Sequence, residues 1–72
     1  MKFEIGDVIK KIYRDYSWVI FKVISLDETD FCGGRILLNN GTEDDYEGVF
    51  RIINSNCIIE KLTKEQLFVE VI

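Results

Sequence analysis

The stretch Ser17-Trp18-Val19-Ile20-Phe21-Lys22-Val23-Ile24-Ser25-Leu26 decides the fold class. Read at the two-residue period of a β-strand, it puts Trp18, Ile20, Ile24 and Leu26 on one face, interrupted by Lys22. Val19, Phe21 and Val23 fall on the other. Both faces are apolar, as in a strand at the centre of a sheet, or one whose outer face is covered by a loop or another subunit. The rest of the chain agrees with a β reading. Of 72 residues, 11 are Ile and 6 are Val, and Ala, the best helix former, is absent, which argues against an all-α bundle.

Short apolar runs separated by turn signals flank this strand on both sides. Upstream, Phe3 and Ile5 share one face, Gly6-Asp7 breaks the alternation as a bend or bulge, and Val8 to Tyr13 resume it. Downstream, Asp27-Glu28-Thr29-Asp30 reads as a turn and Phe31 to Leu38 as a strand. Gly33-Gly34 inside that strand marks a sharp coil or a close backbone approach. Asn39-Asn40-Gly41-Thr42 contains the Asn-Gly pair that suits positive φ, and Glu43 to Glu47 extends it as an acidic loop. Gly48 to Ile53 and Cys57 to Lys61 read as further strands, joined by a turn at Asn54-Ser55-Asn56. Thr63-Lys64-Glu65-Gln66 fits a capping box, giving one helical turn near residues 63–66, and Leu67 to Ile72 alternates as a closing strand. The expected architecture is therefore a single all-β domain over residues 1–72, an antiparallel barrel of five to six strands with one short helical turn.

The opening Phe3-x-Ile5-Gly6-Asp7-x-Ile9 resembles the first strand of SH3-like and KOW-type small barrels, where a Gly-Asp step follows an apolar pair. The resemblance spans about seven residues, and Lys10 to Trp18 holds no glycine where a KOW motif carries its later one. It therefore implies architecture. Barrels of this kind bind proteins or nucleic acids, and the fold alone does not choose between them.

Composition narrows the chemistry. There is no His, which removes the commonest general base and the commonest metal ligand. Cys32 and Cys57 stand 25 positions apart with no His and no other Cys beside them, so free thiols in a reducing cytoplasm are expected, without zinc. The carboxylates of Glu43, Asp44, Asp45 and Glu47 miss the register of a calcium loop and read as a solvated acidic face. Gly33-Gly34 lacks the pattern of a phosphate-cradling loop. No catalytic residues, metal site or cofactor are assigned, and no apolar run approaches the length of a membrane span. A domain this small buries about 60% of its unfolded surface and draws roughly 3 to 5 kcal/mol net from its core, so it is expected to be marginal or oligomeric. Leu67 to Ile72, as a bare sheet edge, could pair with the first strand or make a homodimer.

Binding character concentrates in Lys10 to Trp18, where three aromatics and three cations fall within nine residues around a turn. Aromatic rings can grip side chains or stack on bases, and Arg can hold a carboxylate or phosphate. The candidate binding residues are Lys11, Tyr13, Arg14, Tyr16, Lys22 and Arg35. Arg14 and Tyr16 are expected on the loop, and Trp18 in the core. Residues 1–24 carry five cations and three anions, a net of +2, and residues 25–72 carry four cations and ten anions, a net of −6, matching the overall −4. The expected function is a non-catalytic cytoplasmic module acting through protein contacts. Nucleic-acid or nucleotide binding through the aromatic and basic patch is the alternative, disfavoured by net charge. A small acidic inhibitor of the phage type, presenting residues 43–47 to a basic partner, is the third reading.

Overall fold

The computed structural model describes residues 3–26, 30–52 and 56–71. They form an antiparallel sheet of β1 (Val8–Ile12), β2 (Trp18–Leu26), β3 (Phe31–Asn39), β4 (Thr42–Glu43), β5 (Glu47–Arg51) and β6 (Ile58–Leu62), followed by the helix α1 (Lys64–Val71). The strand order is β4-β3-β2-β1-β6, with β5 also paired to β3. The all-β domain expected from the sequence is thus present, and the two-faced apolar strand is central, held by β1 on one side and β3 on the other. The turns at residues 27–29 and 54–55, and the strand ends at Ile53 and Ile72, lie outside the described residues.

One face of the sheet holds the main core: Ile9, Val19, Phe21, Val23, Cys32, Ile36 and Phe50, with Phe3, Ile52 and Ile59 packed against it. Phe21 on β2 and Phe50 on β5 stack with ring centroids 4.2 Å apart and planes 6° from parallel. They meet across Gly34 of the intervening β3, where a Cβ would lie 2.6 Å from the Phe21 ring and 2.8 Å from that of Phe50. The close approach expected at Gly33-Gly34 is therefore one of rings over a bare backbone.

The sheet curls. Lys11 on β1 donates from Nζ to the Arg51 carbonyl at the end of β5, 3.1 Å away. The path from β1 through β2 and β3 to β5 crosses three ladders, about 14 Å in a flat sheet. A lysine side chain cannot bridge that span, so the ends must bend toward each other. No ladder joins β5 to β6 among the described residues, and the sheet is not a closed barrel.

Register changes at Ile20/Phe21 against β3 place Leu37 at a β-bulge, so that Leu38 shares the outer face with Ile20 while Ile36 stays in the core. Ile20 and Leu38 are both fully buried. α1 lies on the same side, and over its described residues, up to Val71, the closing strand expected at Leu67 to Ile72 is overturned. The capping box forms reciprocally, with Gln66 N–H donating to Thr63 Oγ1 (3.2 Å) and Thr63 N–H to Gln66 Oε1 (2.8 Å). Nucleation is the costly step of a helix, and once Thr63 has supplied it each further residue adds a hydrogen bond. Leu67 and Glu70, three apart, then turn to the sheet, where Glu70 pairs with Lys10 Nζ at 2.7 Å. Phe68 and Val69 are left exposed. The strand-edge route to a homodimer disappears with the strand.

Three smaller differences follow from local geometry. The chain before Val8 is a turn, not a strand: Gly6 has φ +98°, Asp7 N–H donates to the Glu4 carbonyl, and Asp7 Oδ2 accepts from Glu4 N–H. The Asn40-Gly41 turn, with φ of 51° and 87°, closes a hairpin whose second strand is β4, within the span read as an acidic loop. Trp18 is half-buried on the outer face and not in the core, its ring centroid 4.8 Å from Lys10 Nζ.

Candidate functional site

β1 and β2 meet through the Ile12–Trp18 pair, and the three residues Arg14, Asp15 and Tyr16 form the tip between the bonded ends Tyr13 and Ser17. Tyr13 N–H donates to the Ser17 carbonyl at 2.7 Å, and Tyr16 N–H donates to the Tyr13 carbonyl at 2.9 Å. A β-turn followed by one left-handed residue is a standard three-residue hairpin, and glycine is the residue that suits its left-handed position. Here that position is Tyr16, with φ 69°. Asp15 braces the loop by accepting from both the amide and the hydroxyl of Ser17 through Oδ1, at 3.0 and 2.5 Å. The Ser17 hydroxyl, then its amide, hold the Asp15 carboxyl below the usual carboxylate range.

The side chains at this tip have different exposures. Tyr16 is 87% exposed and Arg14 is exposed, without an ion pair among the described residues. Tyr13 is 36% exposed, its phenol pKa raised first by burial and then by the nearby Cys57 and Tyr46. Tyr13, Arg14, Asp15 and Ser17 line an open cleft of about 430 Å³ together with Asn56 and Cys57.

Of the six candidate residues, the structure brings together Tyr13, Arg14 and Tyr16. Lys11 is only 5% exposed and points inward, to the Arg51 carbonyl and the Tyr13 ring, 5.1 Å from its centroid. Lys22 and Arg35 face each other across β2 and β3, four register positions down the sheet from the Ile12–Trp18 pair. Arg35 is neutralised by Asp45, 2.6 Å from Nη2, with Glu47 at 3.9 Å. The basic patch expected from the sequence is thus dispersed over the interior, the tip and the outer face.

The sequence reading missed the contribution of Asn56 and Cys57. Their place follows from the β1–β6 ladder, in which Ile12 pairs with Ile58. That pairing joins segments over forty residues apart and leaves no local signal. Both cysteines are free, Cys32 in the core and Cys57 half-buried. Burial pushes the Cys32 thiol pKa up, opposed by Lys11. Among the described residues no cluster of His, Cys, Asp or Glu could hold a metal ion, and no helix is long and apolar enough to cross a membrane. What the tip offers chemically is an exposed aromatic ring, a second phenol and a guanidinium without an ion pair among the described residues, all on a braced hairpin. Comparison with known proteins gives no matching family model, no matching curated protein and no matching solved structure.

Proposed function

We propose that this protein is a non-catalytic binding module that engages a protein partner through the β1–β2 tip, with Tyr16 as aromatic anchor and Arg14 as its polar companion. The observation that carries the reading is the backbone of Tyr16. A non-glycine residue in the left-handed region costs roughly 1 to 2 kcal/mol, and a ring left in solvent contributes little to offset it. Strain kept at an exposed position argues for use of the side chain. Tyr and Arg are also the residue types that dominate binding hot spots.

Other features favour a protein over a nucleic acid. Lys11 and Arg35 are occupied within the chain, and the net charge of −4 works against neutralising phosphates. The acidic-inhibitor reading is weakened in the same way, since Asp45 and Glu47 are turned on Arg35. An SH3-like or KOW-type architecture and a cytoplasmic setting belong to the same proposal, the first resting on the sequence from Phe3 to Ile9. The test is a quantitative affinity capture from native extract using wild type, Tyr16→Ala and Arg14→Ala, each first shown to be folded. Proteins held by wild type and lost by both variants support the proposal. An identical captured set for all three refutes it.

A further inference from the structure

The second site lies on the opposite side of the sheet from the main core, where α1 meets the outer face. A groove of about 470 Å³ runs there, with an aliphatic floor made by Val8, Leu37, Leu62 and Leu67. Its volume falls within the range of small-molecule sites, about 300 to 1,000 Å³. Lys22 and Lys64 line its wall. Both are exposed, and neither has an ion-pair partner among the described residues.

The one carboxylate in the same groove, Asp7, is already engaged. Its Oδ2 accepts from Glu4 N–H at 2.8 Å and lies 3.1 Å from Lys61 Nζ. The groove therefore presents two uncompensated positive charges in a chain of net charge −4. Lys22 stands in the exposed half of β2, between Val8 of β1 and Arg35 of β3. Lys64 is the first residue of α1, where the helix dipole disfavours a cation.

Polarity continues past the floor. Leu37 and Leu67 also line an adjoining depression, whose rim is Glu43 and Asp44 together with Asp45, the last paired to Arg35; Glu43 and Asp44 have no ion pair among the described residues. An anionic head is repelled at that end and attracted at the other. The occupant that matches is a small amphiphile with an unbranched apolar chain and a single carboxylate. We propose that this groove binds such a carboxylate, its head between Lys22 and Lys64 and its chain along Leu37 and Leu67. The site is separate from the β1–β2 tip and does not depend on it.

Methyl NMR titration of the full chain with decanoate, below its micelle threshold, tests the proposal. Saturable shifts of the Val8, Leu37, Leu62 and Leu67 methyls are expected. Full burial of a methylene strengthens binding about fourfold, so in a half-open groove affinity should rise roughly fourfold for each two methylenes from hexanoate to decanoate. Lys22→Glu and Lys64→Glu, both at exposed positions, should each weaken decanoate at least fivefold in variants whose circular dichroism matches wild type. The same variants should bind 1-decanol as wild type does. Absence of saturable shifts at these methyls overturns the site. Equal decanoate affinity in wild type and both charge reversals overturns the role of the lysines and, with it, the ligand class.

Discussion

Replacing Tyr16 by glycine should make the protein more stable. At φ 69° tyrosine carries the left-handed penalty of roughly 1 to 2 kcal/mol, which glycine does not. Against that gain stands the greater freedom of glycine in the unfolded chain, about 0.5 to 1 kcal/mol. The ring is 87% exposed, so little burial is lost with it. The Tyr13–Ser17 and Tyr13–Tyr16 backbone bonds and the Asp15 brace do not involve the tyrosine side chain. The balance is a gain of about 0.5 to 1 kcal/mol, or roughly 2 to 8 °C in melting temperature for a domain of this size. Tyr16→Ala keeps the strained backbone and should stay within about 0.5 kcal/mol of wild type. Thermal and urea unfolding followed by circular dichroism measure both. A Tyr16→Gly variant less stable than wild type would show that the ring supports the fold, and would remove the argument for its use in binding.

Gly34→Ala should destabilise by about 1 to 3 kcal/mol, because a methyl there must push apart the stacked Phe21 and Phe50 rings. Gly48→Ala, whose nearest neighbour would be the Tyr46 ring at 3.5 Å, is the control with little change, and equal urea midpoints for the two would contradict the close-approach reading. Thr63→Ala should cost about 1 kcal/mol by removing the α1 cap, with amide exchange rising first in residues 64–67; uniform exchange changes across the sheet would point to another cause. Asp7 is held below the usual aspartate range, first by the Glu4 amide and then by Lys61. A carboxyl whose pKa is depressed on folding stabilises the native state above the ordinary value of about 3.9 and loses that contribution as pH falls through the lowered value. Asp7→Asn should therefore lower stability near neutral pH and converge on wild type in acid, and a gap independent of pH would exclude this origin.

The central strand was legible because its signal is local. Ten consecutive residues with two apolar faces have few folded solutions, and the Asn40-Gly41 turn and the Thr63–Gln66 box are chemical signals confined to four residues each. The failures lie where local alternation competed with a long-range contact. Leu67 to Ile72 alternates well enough to be a strand. The cap at Thr63 and the pairing of Glu70 with Lys10 favour a helix, which runs as far as Val71. Lys10 and Glu70 are sixty residues apart, and nothing in either segment announces the other. The same holds for Lys11, which the sequence offers as a candidate binding residue and which is buried, with curling of the sheet bringing the Arg51 carbonyl to it.

Tyr16, Lys22 and Lys64 share a property that the main core residues lack. Each is a residue that its place does not need for folding: a bulky side chain in a left-handed turn, a cation set beside Arg35 on the exposed half of β2, a cation at a helix start. Each is also exposed, so no packing gain in the described structure accounts for it. In a domain whose core supplies only a few kcal/mol, such positions are the easiest at which a single substitution could add stability. Buried Lys11 also departs from local preference, but the Arg51 carbonyl compensates it; uncompensated departures at the surface are the pattern expected where binding rather than folding sets the residue. This reasoning links the tip and the groove while keeping their tests separate. Stabilisation by Tyr16→Gly speaks only to the tip, and decanoate binding changed by Lys22→Glu and Lys64→Glu speaks only to the groove.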